Sequence, residues 1–366
     1  MDRRKRPIFS ALMLAAVLGA GASAAGAQEV AACPTGTGAV PESADGAACR
    51  LAAELEKAFV YPEQGEAYAA ALRANVASGR YAALSPEDAA RIMTADLQAV
   101  AKDGHLRVEL IGSRREPGGA TGAEHPPAIE HDGWIAPGIA FVRINAFLPD
   151  DAQTAAVAKF MEDHAEAEAI VFDIRTHGGG GLAQMDAIFP WLFGEETRLV
   201  TMAMRRSVEE EHGTPFGDGP TLRKLAGTPR ETVREHWALP NGDARLRDAK
   251  VYLLTSERTG SAAEHFALAM KHTGRATLVG SNTAGANHFG GGVPLPGGFG
   301  AFVPVGRTYD PLTGKDWEGN GVAPDVVVAP ADALVRVLVD LGIEAGEARR
   351  LSDGVAPTQS MERWKG

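Results

Sequence analysis

The chain has 366 residues, 45% of them hydrophobic, and a formal net charge of −11 at pH 7. This length is sufficient for one large domain or two modest ones with a sizeable apolar core. An acidic chain is a poor candidate for nucleic-acid binding, because it repels the phosphate backbone. After the first 27 residues no apolar run is long enough to cross a bilayer, so we expect no stable membrane insertion.

The N-terminus predicts a secretory signal over residues 1–27. A basic segment at residues 2–6 precedes a mostly apolar run at residues 8–20, and residues 25–27 read Ala-Gly-Ala, an A-x-A cleavage pattern. An N-terminal core helix is the alternative, but the basic cluster and the small-residue exit favour the signal. Its removal leaves a net charge of −14. We therefore expect an exported protein, periplasmic or secreted.

Both cysteines, Cys33 and Cys49, follow the predicted cleavage site closely. In an exported protein they are able to form one disulfide that closes a short loop. Residues 30–33, Val-Ala-Ala-Cys, also loosely resemble a lipoprotein cleavage box, which would lipidate Cys33. Gln28 and Glu29 separate that box from the apolar run, so we favour the disulfide, and a structural role for both thiols.

Residues 28–110 predict a helical N-terminal domain. Leu51, Leu55 and Phe59 recur at helical spacing, and Ser85 followed by Pro86 is typical of a helix start. Residues 111–133 are rich in glycine, proline and charge, and predict a linker.

The segment 134–345 predicts the core domain, and residues 346–366 a C-terminal tail. Apolar strands alternate with helices, which indicates an α/β core with a mainly parallel sheet. We place strands at residues 138–144, 169–174, 251–255, 276–280, 301–305 and 325–328, and helices at 150–164, up to 193, from 262 and from 331. Two stretches break the alternation: residues 205–248 predict an irregular insertion with short helices, and residues 285–298 a glycine-rich loop.

Ser261 follows Gly260 at the joint between a predicted strand and a predicted helix. The hydroxyl of a serine in such a turn is exposed beside the unpaired N–H groups of the first helical turn, which are able to hold an oxyanion. This placement suits a nucleophile, with the amide of Ala262 as one oxyanion donor. A helix cap is the simpler role, and the stretch alone favours it.

Four glycines, residues 178–181, come three residues after the predicted strand at 169–174. Glycines let backbone N–H groups turn toward an anionic atom. A dinucleotide phosphate loop is one option, but the third glycine of that pattern is missing. A flexible turn is another. The third is the second half of an oxyanion hole opposite Ser261, formed by the amides of Gly178 and Gly179.

A nucleophilic serine needs a base. The candidate bases are the histidines at positions 105, 177, 265, 272 and 288 and, more remotely, 131 and 164. His288 lies in the glycine-rich loop, and His105 lies where a helix gives way to an extended segment. Spacing alone leaves the choice open.

Four segments together resemble tail-specific (C-terminal processing) serine peptidases, and most closely the branch that contains the tricorn core and the interphotoreceptor retinoid-binding protein modules. They are KDGHLRVEL, FDIRTHGGGG, TGSAAEHFA and WEGNGVAPDVVV, in the family's order. The resemblance spans roughly residues 50–335. It implies a crotonase-like (ClpP-like) core of βαβ units behind an N-terminal helical domain. Residues 111–133 are too few for the PDZ domain of many members.

The resemblance also implies catalytic roles. Members that use a lysine place it about 25 residues after the nucleophile, and no lysine lies near that position here. The tricorn-like branch uses a histidine and a later glutamate, which match His105 and Glu318. Where that branch has a serine before the histidine, this chain has Gly104. Glu318 therefore orients His105 directly or through water, or Asp103 takes its place.

The sequence thus predicts an exported serine endopeptidase that hydrolyses peptides or unfolded proteins through an acyl-enzyme. The catalytic residues are Ser261, His105 and Glu318. No metal and no cofactor are expected, because no His/Cys/Asp cluster has ligand spacing, and the oligomeric state stays open. The alternative is a secreted, non-catalytic carrier of apolar small molecules on the same fold. An acyl-CoA enzyme on the related crotonase fold is less favoured, because no CoA-binding feature is assigned and export makes CoA scarce.

Overall fold

The computed structural model describes residues 33–34, 40–111 and 127–363. The predicted signal, and most of the predicted linker, lie outside these residues. The helices are α1 (Ala44–Ala58), α2 (Pro62–Ala77), α3 (Pro86–Val100), α4 (Asp151–Asp163), α5 (Ala183–Leu192), α6 (Arg206–His212), α7 (Ala262–His272), α8 (Ala333–Asp340) and α9 (Ala345–Gly354). The strands are β1 (Arg107–Leu110), β2 (Ile129–Ala136), β3 (Ile139–Ile144), β4 (Ala169–Asp173), β5 (Thr197–Arg205), β6 (Leu222–Leu225), β7 (Glu231–Ala238), β8 (Lys250–Thr255), β9 (Thr277–Gly280), β10 (Phe289–Pro294), β11 (Phe299–Tyr309) and β12 (Val326–Val327).

The strands form two sheets. The first, called here the parallel sheet, has the order β12-β9-β8-β4-β3-β2. Its strands run parallel except β2, which is antiparallel to β3. The second, the antiparallel sheet, has the order β1-β11-β5-β7-β6, and β10 also pairs with β11. The α/β class predicted from the sequence is confirmed, and so is a helical N-terminal region.

Apolar burial explains how these layers pack. One core lies between the two sheets and includes Phe172 of β4, Phe266 of α7 and Met202 of β5. A second core joins α1–α3 to β1, β10 and β11, and a third joins the other face of the parallel sheet to α8 and α9. The parallel strands are buried on both faces, as their continuous apolar runs require.

The prediction for residues 205–248 is right only in part, because α6 is a short helix in this stretch but the strands β6 and β7 lie in it as well. In β7 the buried positions include Thr232, Arg234 and His236, and the half-buried positions include Val233 and Trp237. Polar residues therefore point inward, where partners satisfy them, and the usual alternation of apolar and polar residues is obscured. Strand β10 likewise lies inside the predicted loop at 285–298.

Local signals fix several helix starts. The side chain of Ser85 accepts a hydrogen bond from the amide of Asp88 at the start of α3, and Asp150 does the same for Gln153 at the start of α4. A disulfide joins Cys33 to Cys49 of α1. Helix α9 lies almost wholly within residues 346–366, which the sequence predicts as a C-terminal tail. Across the described residues, every helix is too short or too polar to span a bilayer.

Candidate active site

Ser261 lies between the C-terminal end of β8 and the start of α7. Its φ is 56° and its ψ −120°, and among the described residues it is the only one other than glycine with a positive φ. A side chain in this conformation costs about 1–3 kcal/mol, and such strain persists only where the surroundings impose it. A sharp strand-to-helix turn of this kind projects a nucleophile from the edge of a sheet.

Glu264, one turn into α7, holds the strained turn in place. Its Oε2 accepts hydrogen bonds from the amides of Ser261 (2.9 Å) and Ala286 (2.9 Å), and its Oε1 accepts from the amide of Gly285 (2.7 Å) and the hydroxyl of Thr283 (2.5 Å). Burial raises the pKa of Glu264 to about 7, against the four donors, which lower it. One carboxylate thus joins the turn at Ser261 to the loop at 283–286. The sequence analysis missed this residue, although S/T-x-x-E at a helix start is a known capping signal.

We expect Glu264→Gln to weaken both the fold and the site. The amide of glutamine keeps one acceptor oxygen and places an NH2 group against backbone donors, which leaves buried N–H groups unpaired at about 1–3 kcal/mol each. The free energy of unfolding, measured with denaturant, should fall by at least that amount. Glu257→Gln is the matched control, because Glu257 is exposed on the preceding turn. Equal stability of the two variants would contradict this role.

The glycine loop lies directly against Ser261. A Cβ built on Gly179 would fall 2.8 Å from the Cβ of Ser261 and 3.3 Å from its Oγ, and Gly179 has a φ of +118°. Both the contact and the backbone angle exclude a side chain at this position. The predicted convergence of the glycine run and the serine is therefore present in the structure.

The predicted oxyanion donors need a correction. The amide of Gly178 donates to the carbonyl of Asn145 (3.1 Å), and the amide of Gly179 donates to Nδ1 of His177 (3.0 Å). Both donors are thus engaged by the protein itself. The amide of Ala262, in the first turn of α7, has no hydrogen-bond partner among the described residues, as expected for a helix N-terminus.

His105 follows the end of α3, just before β1. Its ring stacks on Phe302 at a centroid distance of 5.3 Å, and its backbone amide donates to Oδ1 of Asp103 (2.8 Å). Its Nδ1 is buried without a hydrogen-bond partner. Burial lowers the pKa of His105 to about 4, so its imidazole is neutral near pH 7, as a general base must be.

Neither predicted orienting carboxylate contacts Nδ1 of His105. Oε1 of Glu318 accepts from the amide of Gly104 (2.6 Å), and its Oε2 accepts from the amides of Asn287 (2.7 Å) and His288 (3.1 Å). Glu318 therefore fixes the backbone next to His105 instead of its ring. A Cβ on Gly104 would lie 3.1 Å from Cα of Ala286, so a serine here would crowd that loop.

Asp103 binds a different imidazole. Its Oδ2 lies 2.7 Å from Nδ1 of His288, and Oε2 of Glu318 lies 3.7 Å from the same nitrogen. These three side chains also have the donor types of a metal site, with one ligand atom each within 4.8 Å of the others. Their positions are far apart in the sequence, so no ligand spacing was visible. Hydrogen bonds engage both carboxylates and Nδ1 of His288, whereas Nε2 of His288 is buried without a hydrogen-bond partner among the described residues. The three side chains form an ion cluster.

The other candidate bases are used in packing. His177 is buried against the glycine loop, and burial lowers its pKa to about 3. Nε2 of His265 lies 2.9 Å from Nδ1 of His236, whose Nε2 lies 2.9 Å from Asp186. The rings of two further histidines form hydrogen bonds with backbone carbonyl oxygens. His164 binds the carbonyl of Phe160, and His272 binds that of Leu199.

Comparison with known proteins decides the family. Residues 138–328 match the family model described as peptidase family S41. The chain belongs to peptidase family S41. This match covers just over half of the chain and includes Ser261, the glycine loop and Glu318, and it confirms the resemblance to tail-specific peptidases.

Individual relatives agree with this family. A carboxyl-terminal-processing protease from Picosynechococcus sp. is 27% identical over 192 residues, which are 52% of this chain and 39% of that protein. The chain thus spans about two fifths of the length of this relative.

Solved structures show the same fold. The photosystem II D1 C-terminal processing protease has a TM-score of 0.51 at 16% identity, covering 86% of this chain and 99% of that one. A candidate peptidase from Parabacteroides merdae has a TM-score of 0.56 at 16% identity, covering 84% and 98%. At these identities the likeness shows the fold alone.

Proposed function

We propose that this family S41 protein is an exported serine endopeptidase, with Ser261 as nucleophile and His105 as base. The observation that carries the proposal is the strained turn at Ser261. Ser261 has a positive φ, the amide of Ala262 next to it is unpaired, and Gly179 packs so closely against Ser261 that it leaves no room for a side chain. A serine that only caps a helix adopts ordinary extended backbone angles and is not strained. The strain at Ser261 therefore indicates a function beyond capping.

Two contacts support the placement of His105 beside Ser261. Glu264 binds the amides of both Ser261 and Ala286, and the backbone of Gly104 approaches Ala286 closely. The segments that carry the serine and the histidine are therefore attached to the same short loop. This arrangement favours His105, whose neutral imidazole is ready to accept a proton.

The mechanism follows from these groups. His105 accepts the proton of the Ser261 hydroxyl as its oxygen attacks the scissile carbonyl. The amide of Ala262 stabilises the oxyanion, a contribution of about 3 kcal/mol for one such donor. Protonated His105 then donates that proton to the leaving amine, which breaks the peptide bond. Water, deprotonated by the same imidazole, releases the acyl group from Ser261.

A groove next to the candidate base suits an extended peptide. It has a volume of about 580 Å³ and is lined by β1, β10 and β11, including Phe302, on which His105 stacks. Exposed glycines at positions 291 and 292 of β10 leave its backbone accessible, as pairing with an added strand requires. We propose peptides or unfolded proteins as substrates. The N-terminal sequence signal supports export.

Product analysis tests this function. Incubation with an unfolded protein should create new termini, identified by mass spectrometry. Added hydroxylamine should divert part of the product to peptidyl hydroxamates, because it competes with water for an acyl-enzyme. Cleavage without hydroxamates would contradict the acyl-enzyme. If no cleavage occurs and the protein binds apolar small molecules, the carrier function takes its place.

The protonation state of His105 gives a separate prediction. With a folded pKa of about 4 and an ordinary unfolded pKa near 6.5, the unfolded chain binds a proton that the folded chain does not. Stability should therefore fall as pH drops from about 6.5 to 4, by up to about 3 kcal/mol from this residue. Denaturant unfolding across that range should show a shallower pH dependence for His105→Gln. Parallel curves for the two proteins would contradict a neutral, half-buried imidazole.

A further inference from the structure

His288 is enclosed by two carboxylates that the proposed chemistry does not touch. Its Nδ1 lies 2.7 Å from Oδ2 of Asp103 and 3.7 Å from Oε2 of Glu318. The side chains of His288, Asp103 and Glu318 are only 3%, 1% and 11% exposed. Rings of Phe59 and Tyr61 pack edge-on against the imidazole and close off its surroundings.

This cluster binds three separate segments together. Asp103 accepts hydrogen bonds from the amides of His105 (2.8 Å) and Leu106 (2.9 Å), at the start of the segment that leads into β1. Glu318 accepts hydrogen bonds from the amides of Gly104 and Asn287. The backbone on both sides of Gly104 is thus held by carboxylates whose positions depend on each other.

Two buried carboxylates so close together repel each other strongly, because little water screens them. Among the described residues, no lysine or arginine forms an ion pair with Asp103 or Glu318; the partner of both is His288. The other charged side chain acting on the imidazole is Asp316, which is bound by the Tyr61 hydroxyl and lies 3.9 Å from Arg307. The charges facing His288 are therefore negative, because the neighbouring imidazole of His105 is neutral near pH 7.

We propose that His288 is a positioning residue: its protonated imidazole bridges Asp103 and Glu318 and thereby fixes the segment that presents His105 to Ser261. This inference rests on the proposed function. Burial lowers the pKa of His288, but the bond to Asp103 and the charge of Glu318 raise it, and the net shift is upward. Loss of that proton leaves two adjacent carboxylates without a counter-charge, which loosens the segment at 103–106.

The sign of the pH dependence follows. Because the folded pKa of His288 is raised, its stabilisation is complete below the ordinary value near 6.5 and is lost as pH rises through the higher folded value. The rate of hydrolysis by the wild-type protein should therefore fall at alkaline pH as His288 loses its proton.

The test compares the wild-type protein with His288→Gln, which keeps one N–H donor but no charge. The value of kcat/KM should drop about 100-fold, since small displacements of a catalytic group have effects of that size, and the alkaline fall should disappear. Hydrogen exchange at the amides of residues 104–106 should speed up about tenfold. His131→Gln, on β2, is the control and should behave as wild type.

Two readouts keep this inference separate from the proposed function. Exchange rates in His288→Gln need no activity, and NMR titration of the His288 ring in the wild-type protein needs neither activity nor a folded variant. A ring that is neutral at pH 6.5, or unchanged exchange and pH profile in His288→Gln, would overturn the role of His288 alone. If a fluorophosphonate probe fails to label Ser261 while exchange at residues 104–106 still speeds up in His288→Gln, the peptidase chemistry is wrong and the role of His288 in holding this segment remains.

Discussion

Replacing Ser261 by alanine is expected to abolish peptide hydrolysis while leaving the fold intact. Loss of the attacking oxygen removes the covalent pathway, and in serine peptidases such a change lowers kcat by about 10⁶-fold. Alanine has the same backbone restrictions as serine, so the strained turn at φ 56° should neither relax nor worsen. The measurement is the rate of peptide cleavage, with circular dichroism to confirm the fold.

Ser261→Gly sharpens this experiment. Glycine adopts a positive φ without strain, so the variant should be inactive yet more stable than wild type by about 1 kcal/mol. A stability gain with a loss of activity is typical of a residue held strained for its function. If Ser261→Ala retains wild-type turnover, the serine is not the nucleophile. If Ser261→Gly lowers stability, the strain argument is wrong.

Gly179→Ala is expected to have the second largest effect. The new methyl group would fall 2.8 Å from the Cβ of Ser261, at a φ of +118° that an alanine rarely adopts. Either the glycine loop or the serine turn has to move, at a cost of about 2–4 kcal/mol in stability. A shift of the nucleophile by about 1 Å should lower kcat/KM by about 100-fold.

Gly181→Ala is the matched control in the same loop. A Cβ there meets no atom closer than the carbonyl oxygen of Phe147 at 4.0 Å, and its φ is not positive. Unfolding curves and cleavage rates of both variants, measured side by side, should separate them clearly. Equal effects of the two alanines would mean that the loop is only a flexible turn, the plainest interpretation of a glycine run.

The sequence predicted well those elements whose own residues show whether they are buried or exposed. Strands β3, β4 and β8 are continuous apolar runs and were placed within a residue or two of their ends. Helix α7, with Ser261 before it, was located from the change of pattern alone. Strand β7 was missed because its buried positions include Arg234, which is satisfied by Glu209 and Asp218 from other elements.

In the candidate site, too, the residues that the sequence predicted are those with a local signal. Ser261 and the glycine run were visible as turns after strands, which is a local property. The partners of Asp103 and Glu264 depend on loops far away in the chain, and spacing along one sequence does not contain that information. Hence Glu264 was overlooked. Of the two carboxylates considered for orienting His105, Glu318 binds backbone amides and Asp103 binds His288.

A histidine-activated serine at the start of α7 should react with a fluorophosphonate probe. The adduct is read by intact mass and peptide mapping. We expect one adduct per chain, on Ser261, forming at least about 100-fold more slowly in His105→Gln. A wild-type protein that gains no adduct, or gains it at another residue, would contradict Ser261 as the activated nucleophile.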